Sequence, residues 1–171
     1  MTFIASVFIG VSLDGFIARR DGDIEWLTSR GEKAGEYGYD AFIAGIDTIV
    51  MGRATYETGL TFGAWPHEGK RVEVLSRTLE TGDPRVTVHR DLDALIDHLD
   101  ATARHVYVDG GQVIRSFLRA GRVDDLTIST VPVLIGSGLP LFGELERDVD
   151  LEHLGTEVFG AGLVQSRYAV R

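Results

Sequence analysis

Residues 3–11 (FIASVFIGV) are apolar at nearly every position, which predicts a strand buried on both faces. Ser12-Leu13-Asp14-Gly15 reads as a turn, and the polar, glycine-bearing residues 18–25 read as a loop. Across 32–46 the apolar residues Tyr39, Phe42, Ile43 and Ile46 recur at helical spacing, so a helix is expected there. Residues 48–51 (TIVM) form a short buried strand that stops at Gly52, and 53–58 begin another helix. Strands are expected at 71–75 and 86–89. Asp91 then stands as the N-cap of a helix that carries Leu92, Leu95, Ile96 and Leu99 on one face. Residues 105–108 (HVYV) predict a strand ending in Asp109-Gly110-Gly111, and 113–120 a helix closed by Gly121. Residues 125–135 are β-rich but contain Pro132, so an edge or bulge is expected there. After the Gly/Pro-rich stretch 136–140, residues 151–159 and 163–170 flank Gly160-Ala161-Gly162 as a terminal β-hairpin.

Alternating strands and helices followed by antiparallel strands predict an α/β fold with a mixed, mostly parallel sheet flanked by helices on both faces. No linker, repeat or low-complexity tract divides the chain, so residues 1–171 are expected to form a single domain. Its 171 residues are enough to bury one good core.

Composition narrows the chemistry. Seventeen Lys and Arg against 26 Asp and Glu give a net charge of -9, which argues against a nucleic-acid partner. The absence of Cys removes disulfides, thiolate nucleophiles and Cys-ligated metals. No apolar run approaches the roughly 20 residues of a membrane span, and 3–11 lacks the basic flank of a signal peptide. A soluble, cytoplasmic protein without a membrane partner is expected. The five histidines show no H-x-x-x-H or H-E-x-x-H spacing, so no metal site is predicted, and no G-x-S-x-G elbow marks a hydrolase. Asp91, Asp93, Asp97 and Asp100 read as a solvated helix face.

Two strand-to-helix junctions carry the candidate chemistry. One is Met51-Gly52-Arg53-Ala54-Thr55 and the other Val108-Asp109-Gly110-Gly111-Gln112-Val113. In each, glycine lets backbone N–H groups approach a ligand, and a helix N-terminus supplies partial positive charge. Neither is a G-x-G-x-x-G or Walker A sequence. Taken singly, each glycine could merely turn the chain; together, with Arg53 directly after Gly52, they point to a phosphate site. Arg77, after the strand 71–75, is a second guanidinium at a strand end and could pair with a further phosphate.

These segments resemble the dihydrofolate-reductase-like superfamily. Residues 49–57, Leu75-Ser76 and the 108–113 turn are similar to the strand-to-helix turns of dihydrofolate reductases. Ser12-Leu13-Asp14-Gly15 and residues 121–142 (GRVDDLTISTVPVLIGSGLPLF) are closer to another branch, the reductase domain of riboflavin-biosynthesis deaminase/reductases and its stand-alone relatives. The resemblance runs from about residue 3 to the C-terminus. It implies a dihydrofolate-reductase-like fold and an NADPH-dependent reductase of a small pterin- or pyrimidine-like heterocycle. The alternatives are a true dihydrofolate reductase, or a non-catalytic nucleotide-binding protein on the same fold.

Carried over by motif, Gly52, Arg53 and Thr55 would hold phosphates, and Gly110, Gly111, Gln112 and Val113 would cradle the pyrophosphate. Ser76 and Arg77 would lie near the adenosine 2′-phosphate, with Ile17 and Ala18 over the nicotinamide. The resemblance also implies a carboxylate on the first helix as proton donor. Residues 32–46 offer Asp40, slightly preferred, and Glu36, one turn earlier on the same face. Trp26 resembles a loop tryptophan near the substrate, although its context lacks the preceding proline of folate enzymes. A homodimer is implied by the riboflavin branch, and the apolar C-terminal strands suit a shared sheet edge.

Overall fold

Along the chain the elements run β1 (Ile4–Ser12), β2 (Phe16–Ala18), α1 (Glu25–Ala34), α2 (Tyr39–Ala44), β3 (Thr48–Gly52), α3 (Arg53–Leu60), β4 (Arg71–Leu75) and β5 (Val86–His89). They continue with α4 (Leu92–Thr102), β6 (His105–Asp109), α5 (Gly111–Arg119), β7 (Asp125–Val131), β8 (Leu139–Pro140), β9 (Leu151–Val158) and β10 (Val164–Val170). The structure is a computed structural model and describes residues 2–171.

Eight strands form one sheet in the order β5-β4-β3-β6-β1-β7-β10-β9. The first six are parallel, and β10 runs antiparallel to both of its neighbours. β1 lies in the interior between β6 and β7, which is why its sequence does not alternate. Ala5, Val7 and Val11 enter one core layer, and Phe8 enters the other. The first layer packs Leu95 and Leu99 of α4 and Ile114 and Phe117 of α5 against Val50, Val106 and Val108. Phe117 is fully enclosed, a position where truncation to Ala costs about 3–5 kcal/mol. The second layer sets Tyr56 of α3 and Phe42 of α2 against Ile49, Met51, Val72, Val74 and Tyr107. Helices therefore cover both faces, as the pattern predicts.

Asp91 caps α4 as expected, its carboxylate accepting the Ala94 N–H at 2.9 Å. The terminal hairpin also forms, turning through a short 3-10 segment at Gly160–Gly162.

Four boundaries differ from the sequence expectation. The helix expected over 32–46 is two helices, because Gly35 and Gly38 adopt positive φ (80° and 90°) and end the regular hydrogen bonding. α1 instead begins at Glu25, inside the stretch read as loop. β7 stops at Val131, since Pro132 has no N–H to continue the ladder. In addition α5 starts at Gly111, two residues earlier than expected.

Candidate active site

All six parallel strands end at one edge of the sheet, and open α/β sheets bind ligands at that edge. β3 and β6 are neighbours there, with Met51 paired to Asp109. The two glycine junctions are thus adjacent in space. Val113 is buried in the core, and its Cγ2 lies 3.4 Å from where a Gly52 Cβ would stand, so it packs the start of α5 against the start of α3. Neither helix N-terminus carries a side-chain cap. The first-turn N–H groups of α3 and α5 are therefore left to other acceptors, unlike those of α4, and together they suit an anion.

Close approach explains the second glycine pair. Gly110 has φ +97°, and a Cβ there would lie 2.6 Å from Thr55 Oγ1. A Cβ at Gly111 would meet the Pro140 carbonyl oxygen at 2.9 Å and Ile17 Cδ1 at 3.1 Å. Thr55 of the first junction, Gly110 and Gly111 of the second, and Ile17 of β2 thus share one small region. Ala18 follows on β2, buried, and pairs with Leu139 of β8. Gln112 is exposed at the N-terminus of α5.

β4 ends beside β3, with Leu75 paired to Gly52, so Ser76 and Arg77 emerge next to Arg53. Ser76 Oγ accepts the Leu79 and Thr78 N–H groups at 3.0 and 3.3 Å, folding that loop on itself. Arg53 bridges the elements: its Nε donates to Glu57 at 2.7 Å and its Nη1 to Thr78 Oγ1 at 3.2 Å. The Arg53–Glu57 pair is half-exposed, and pairs of that kind contribute at most about 1 kcal/mol. A phosphate can draw the guanidinium away at little cost. Arg77 is exposed beside it.

A cavity of about 490 Å³ opens on the second-layer face of β1. Its walls are Phe8 and Gly10 of β1, Leu27, Gly31 and Glu32 along α1, Tyr37 and Tyr39 at the helix break, and Ser129 of β7. Phe8 stacks obliquely on Phe42 at 4.9 Å and meets Tyr39 edge-on at 5.6 Å, which makes one wall aromatic. Gly10 has no side chain because Leu27 Cδ1 stands 2.5 Å from where its Cβ would be. Buried Gln165 of β10 fixes the break, donating to the Tyr37 carbonyl and to Ser129 Oγ, both at 3.0 Å.

The two candidate carboxylates do not share one helix face. Glu36 lies in the break between α1 and α2, exposed, and accepts the Gly38 N–H at 2.5 Å. Asp40 is exposed in the first turn of α2. Neither lines the cavity. Their expected common face depended on one continuous helix, which the two glycines interrupt. The acid in the cavity wall is Glu32. A second acid, Asp109, stands between the cavity and the glycine junction. Continuing the β1–β6 register (Ser6 beside Tyr107) sets it alongside Phe8 on the same face. Desolvation pushes its carboxyl up to about 6, against the lowering influence of the nearby Tyr107 hydroxyl and Gly110 N–H; the Tyr107 hydroxyl itself donates to the Phe8 carbonyl at 2.9 Å. Burial, with Asp109 nearby, likewise pushes the Tyr39 phenol up to about 12. Asp109 was visible in sequence as the residue before Gly110-Gly111, but only the fold shows that it is partly buried beside Phe8. Glu32 and Gln165 carried no local signal.

Trp26 is buried with Ala34, Val131 and Leu163 and lies beneath α1 rather than in the cavity wall. Its Nε1–H is the one buried side-chain polar atom without a hydrogen-bond partner among the described residues. Asp14 joins the turn after β1 to the loop after β7. It accepts from Ser12 Oγ at 2.6 Å, Gly136 N–H at 2.8 Å and Ile135 N–H at 3.3 Å, and the Ser12 hydroxyl foremost holds its carboxyl below the usual range. Gly136-Ser137-Gly138 is thereby tethered at the ligand edge of the sheet.

The comparisons with known proteins bear on the family and the fold. The sequence pattern of the family described as the RibD C-terminal domain matches residues 5–165. The Bacillus subtilis (strain 168) protein YwjB is 34% identical over 167 residues, 95% of each chain. The riboflavin biosynthesis protein RibD of Corynebacterium ammoniagenes is 31% identical over 145 residues, 75% of this chain and 42% of that protein. A crystal structure from Shewanella sp. PV-4, of a protein provisionally assigned to riboflavin biosynthesis, superposes with a TM-score of 0.89 at 35% identity, covering 98% of this chain and 99% of that one. Dihydrofolate reductase from Enterococcus faecalis, complexed with NADP(H) and RAB-propyl, superposes with a TM-score of 0.69 at 17% identity, covering 100% and 99%, a likeness of fold alone. The chain belongs to the RibD C-terminal domain family and has a dihydrofolate-reductase-like fold.

Proposed function

We propose that the protein is an NADPH-dependent reductase acting on a small pterin- or pyrimidine-like heterocycle. One observation carries the reading: two glycine-opened, uncapped helix N-termini lie on adjacent parallel strands, beside a cavity with an aromatic wall. When bound, NADPH supplies the hydride. The first-turn amides of α3 and α5, with Gly52, Thr55, Gly110, Gly111 and Gln112, bind the pyrophosphate. Val113 acts from the core by packing the two junctions together. Ser76, Arg77 and Arg53 form the cationic end that takes the 2′-phosphate, and this end favours NADPH over NADH. Ile17 and Ala18 hold the nicotinamide end near the absent side chain of Gly111.

The heterocycle lies against Phe8, Tyr37 and Tyr39, and Glu32 accepts hydrogen bonds from its ring or exocyclic N–H groups. The proton that accompanies the hydride comes from Asp109, whose raised affinity for a proton suits a general acid. Glu36 and Asp40, expected from sequence as donors, take no part in this reading.

The test is a titration with NADPH followed by nicotinamide fluorescence, with Arg53→Ala in parallel. Loss of charge-assisted phosphate contacts predicts binding weakened about ten- to hundredfold in the variant. Unchanged binding removes Arg53 from the site.

The same reading includes a homodimer. β9 is an edge strand exposed along nearly its whole length, and it carries Leu151, Leu154 and Val158 at 44%, 51% and 70% exposure. An apolar edge of this kind invites pairing, and a second copy of the chain is the proposed occupant. No helix among the described residues is long and apolar enough to cross a membrane.

A further inference from the structure

Glu73 is the middle residue of β4 and is only 4% exposed, a costly place for a carboxylate without a compensating charge. Val72 and Val74 on either side enter the core layer under α3. Glu73 therefore points to the opposite face of the sheet, where β5 and α4 each bring an imidazole. His89 Nε2 lies 2.7 Å from one carboxylate oxygen and His98 Nε2 3.3 Å from the other. The two rings are 5.1 Å apart and inclined at 44°, converging on the carboxylate. Among the described residues no Lys or Arg pairs with Glu73. The nearby cations are engaged elsewhere: Lys70 donates to the Ile43 and Ile46 carbonyls, Arg71 pairs with Asp47, and Arg85 pairs with Asp83.

We propose that Glu73, His89 and His98 form a binding site for a first-row divalent cation, with Zn²⁺ as the natural occupant. Two imidazole nitrogens and one carboxylate are a donor set that zinc takes readily, leaving a position open for water. Bonds of about 2.0–2.1 Å in a tetrahedron set ligand atoms roughly 3.3 Å apart. Here one ligand atom from each residue already lies within 4.8 Å of the other two. Small side-chain rotations close the remainder. In the hydrogen-bonded arrangement each Nε2–H donates to Glu73. On metal binding the imidazole proton resides on Nδ1 and the Nε2 lone pair turns to the cation. The cation then supplies the positive charge that buried Glu73 lacks. Glu73 and His98 also line a surface cavity of about 750 Å³, which gives the ion an entry path and the fourth ligand room.

The histidine spacing hides such a site, because its ligands come from three elements, β4, β5 and α4. The ion would clip edge strand β5 and helix α4 to β4. It would also sit beneath the Ser76–Arg77 loop, since the Ser76 N–H donates to the His89 carbonyl at 2.9 Å. The inference is independent of the reductase reading.

The test uses the untagged chain, stripped of metal by a chelator. Co²⁺ is titrated in and followed by visible d–d absorption, then displaced by Zn²⁺, and the Tm is measured with and without Zn²⁺. The expected result is one saturable equivalent per chain, displaced by Zn²⁺, with a raised Tm. The variants are Glu73→Gln and His98→Gln. The second lies at a half-exposed ring whose loss leaves the core intact. Each should weaken Co²⁺ binding by more than about tenfold, the lower range for losing even an outer-shell group. Folding is verified for each by circular dichroism. Absence of saturable binding, or binding unchanged in a folded His98→Gln, overturns the proposal.

Discussion

At the scale of the residue, Asp109 is the group whose behaviour separates a structural from a chemical account. Its carboxyl is pushed up to about 6 in the folded chain, against an ordinary 3.8. A raised folded-state pKa means the native protein holds this proton more tightly than the unfolded chain. The associated stability is fully present below about pH 4 and is lost as pH rises through 6. At neutral pH the ionised form is a burden of up to about 3 kcal/mol. Asp109→Asn should therefore be more stable than the parent at pH 7.5, with the gain shrinking towards pH 4. Urea unfolding across that range measures it. Under the proposed chemistry the same variant loses turnover, and the parent's rate falls as pH rises past about 6. A variant that is stabilised yet fully active would reduce Asp109 to a partly buried acid without a chemical part. Asp109 stood in plain view beside Gly110-Gly111, but burial is a three-dimensional property that the string Val108-Asp109-Gly110 does not carry.

At the scale of the element, capping and glycine placement decide what each helix can do. α4 is capped by its own Asp91, and its N-terminus is no part of the proposed nucleotide site. Asp91→Ala should cost about 1 kcal/mol in urea unfolding and leave cofactor binding unchanged. α3 and α5 begin on glycines with no such cap, and their free amides are the proposed site. These elements were legible in sequence because buried strands ending in glycine leave a clear local pattern, and the capping of α4 followed from Asp91 alone. The break between α1 and α2 was not legible. The apolar spacing of Tyr39, Phe42 and Ile43 continues smoothly from a helix, whereas Gly35 and Gly38 take positive φ and Gln165, distant in sequence, donates to the Tyr37 carbonyl between them. The continuous helix is what set Glu36 and Asp40 on one face in the sequence reading.

At the scale of the whole molecule, six parallel strands gather their C-terminal ends at one edge, and the antiparallel β10 and β9 extend the sheet to an exposed rim. The mixed sheet and the terminal hairpin were both readable from the order of apolar runs. Contacts made only by long-range folding, such as Asp14 reaching Gly136 or Glu73 gathering His89 and His98, were not. If β9 is a dimer edge, sedimentation should show a dimer that Leu154→Asp converts to monomer. A parent that sediments as a monomer at all concentrations contradicts the shared edge.

The central claim is the phosphate clamp between β3 and β6, and it is tested most directly by titrating NADPH and NADH in parallel against the parent chain and Gly111→Ala. The added methyl would press on the Pro140 carbonyl at 2.9 Å. The account predicts saturable NADPH binding, at least about tenfold tighter than NADH because charge-assisted contacts hold the additional phosphate, and its loss in a Gly111→Ala variant that remains folded. Binding of neither nucleotide, or equal NADPH binding by the folded variant, would contradict it.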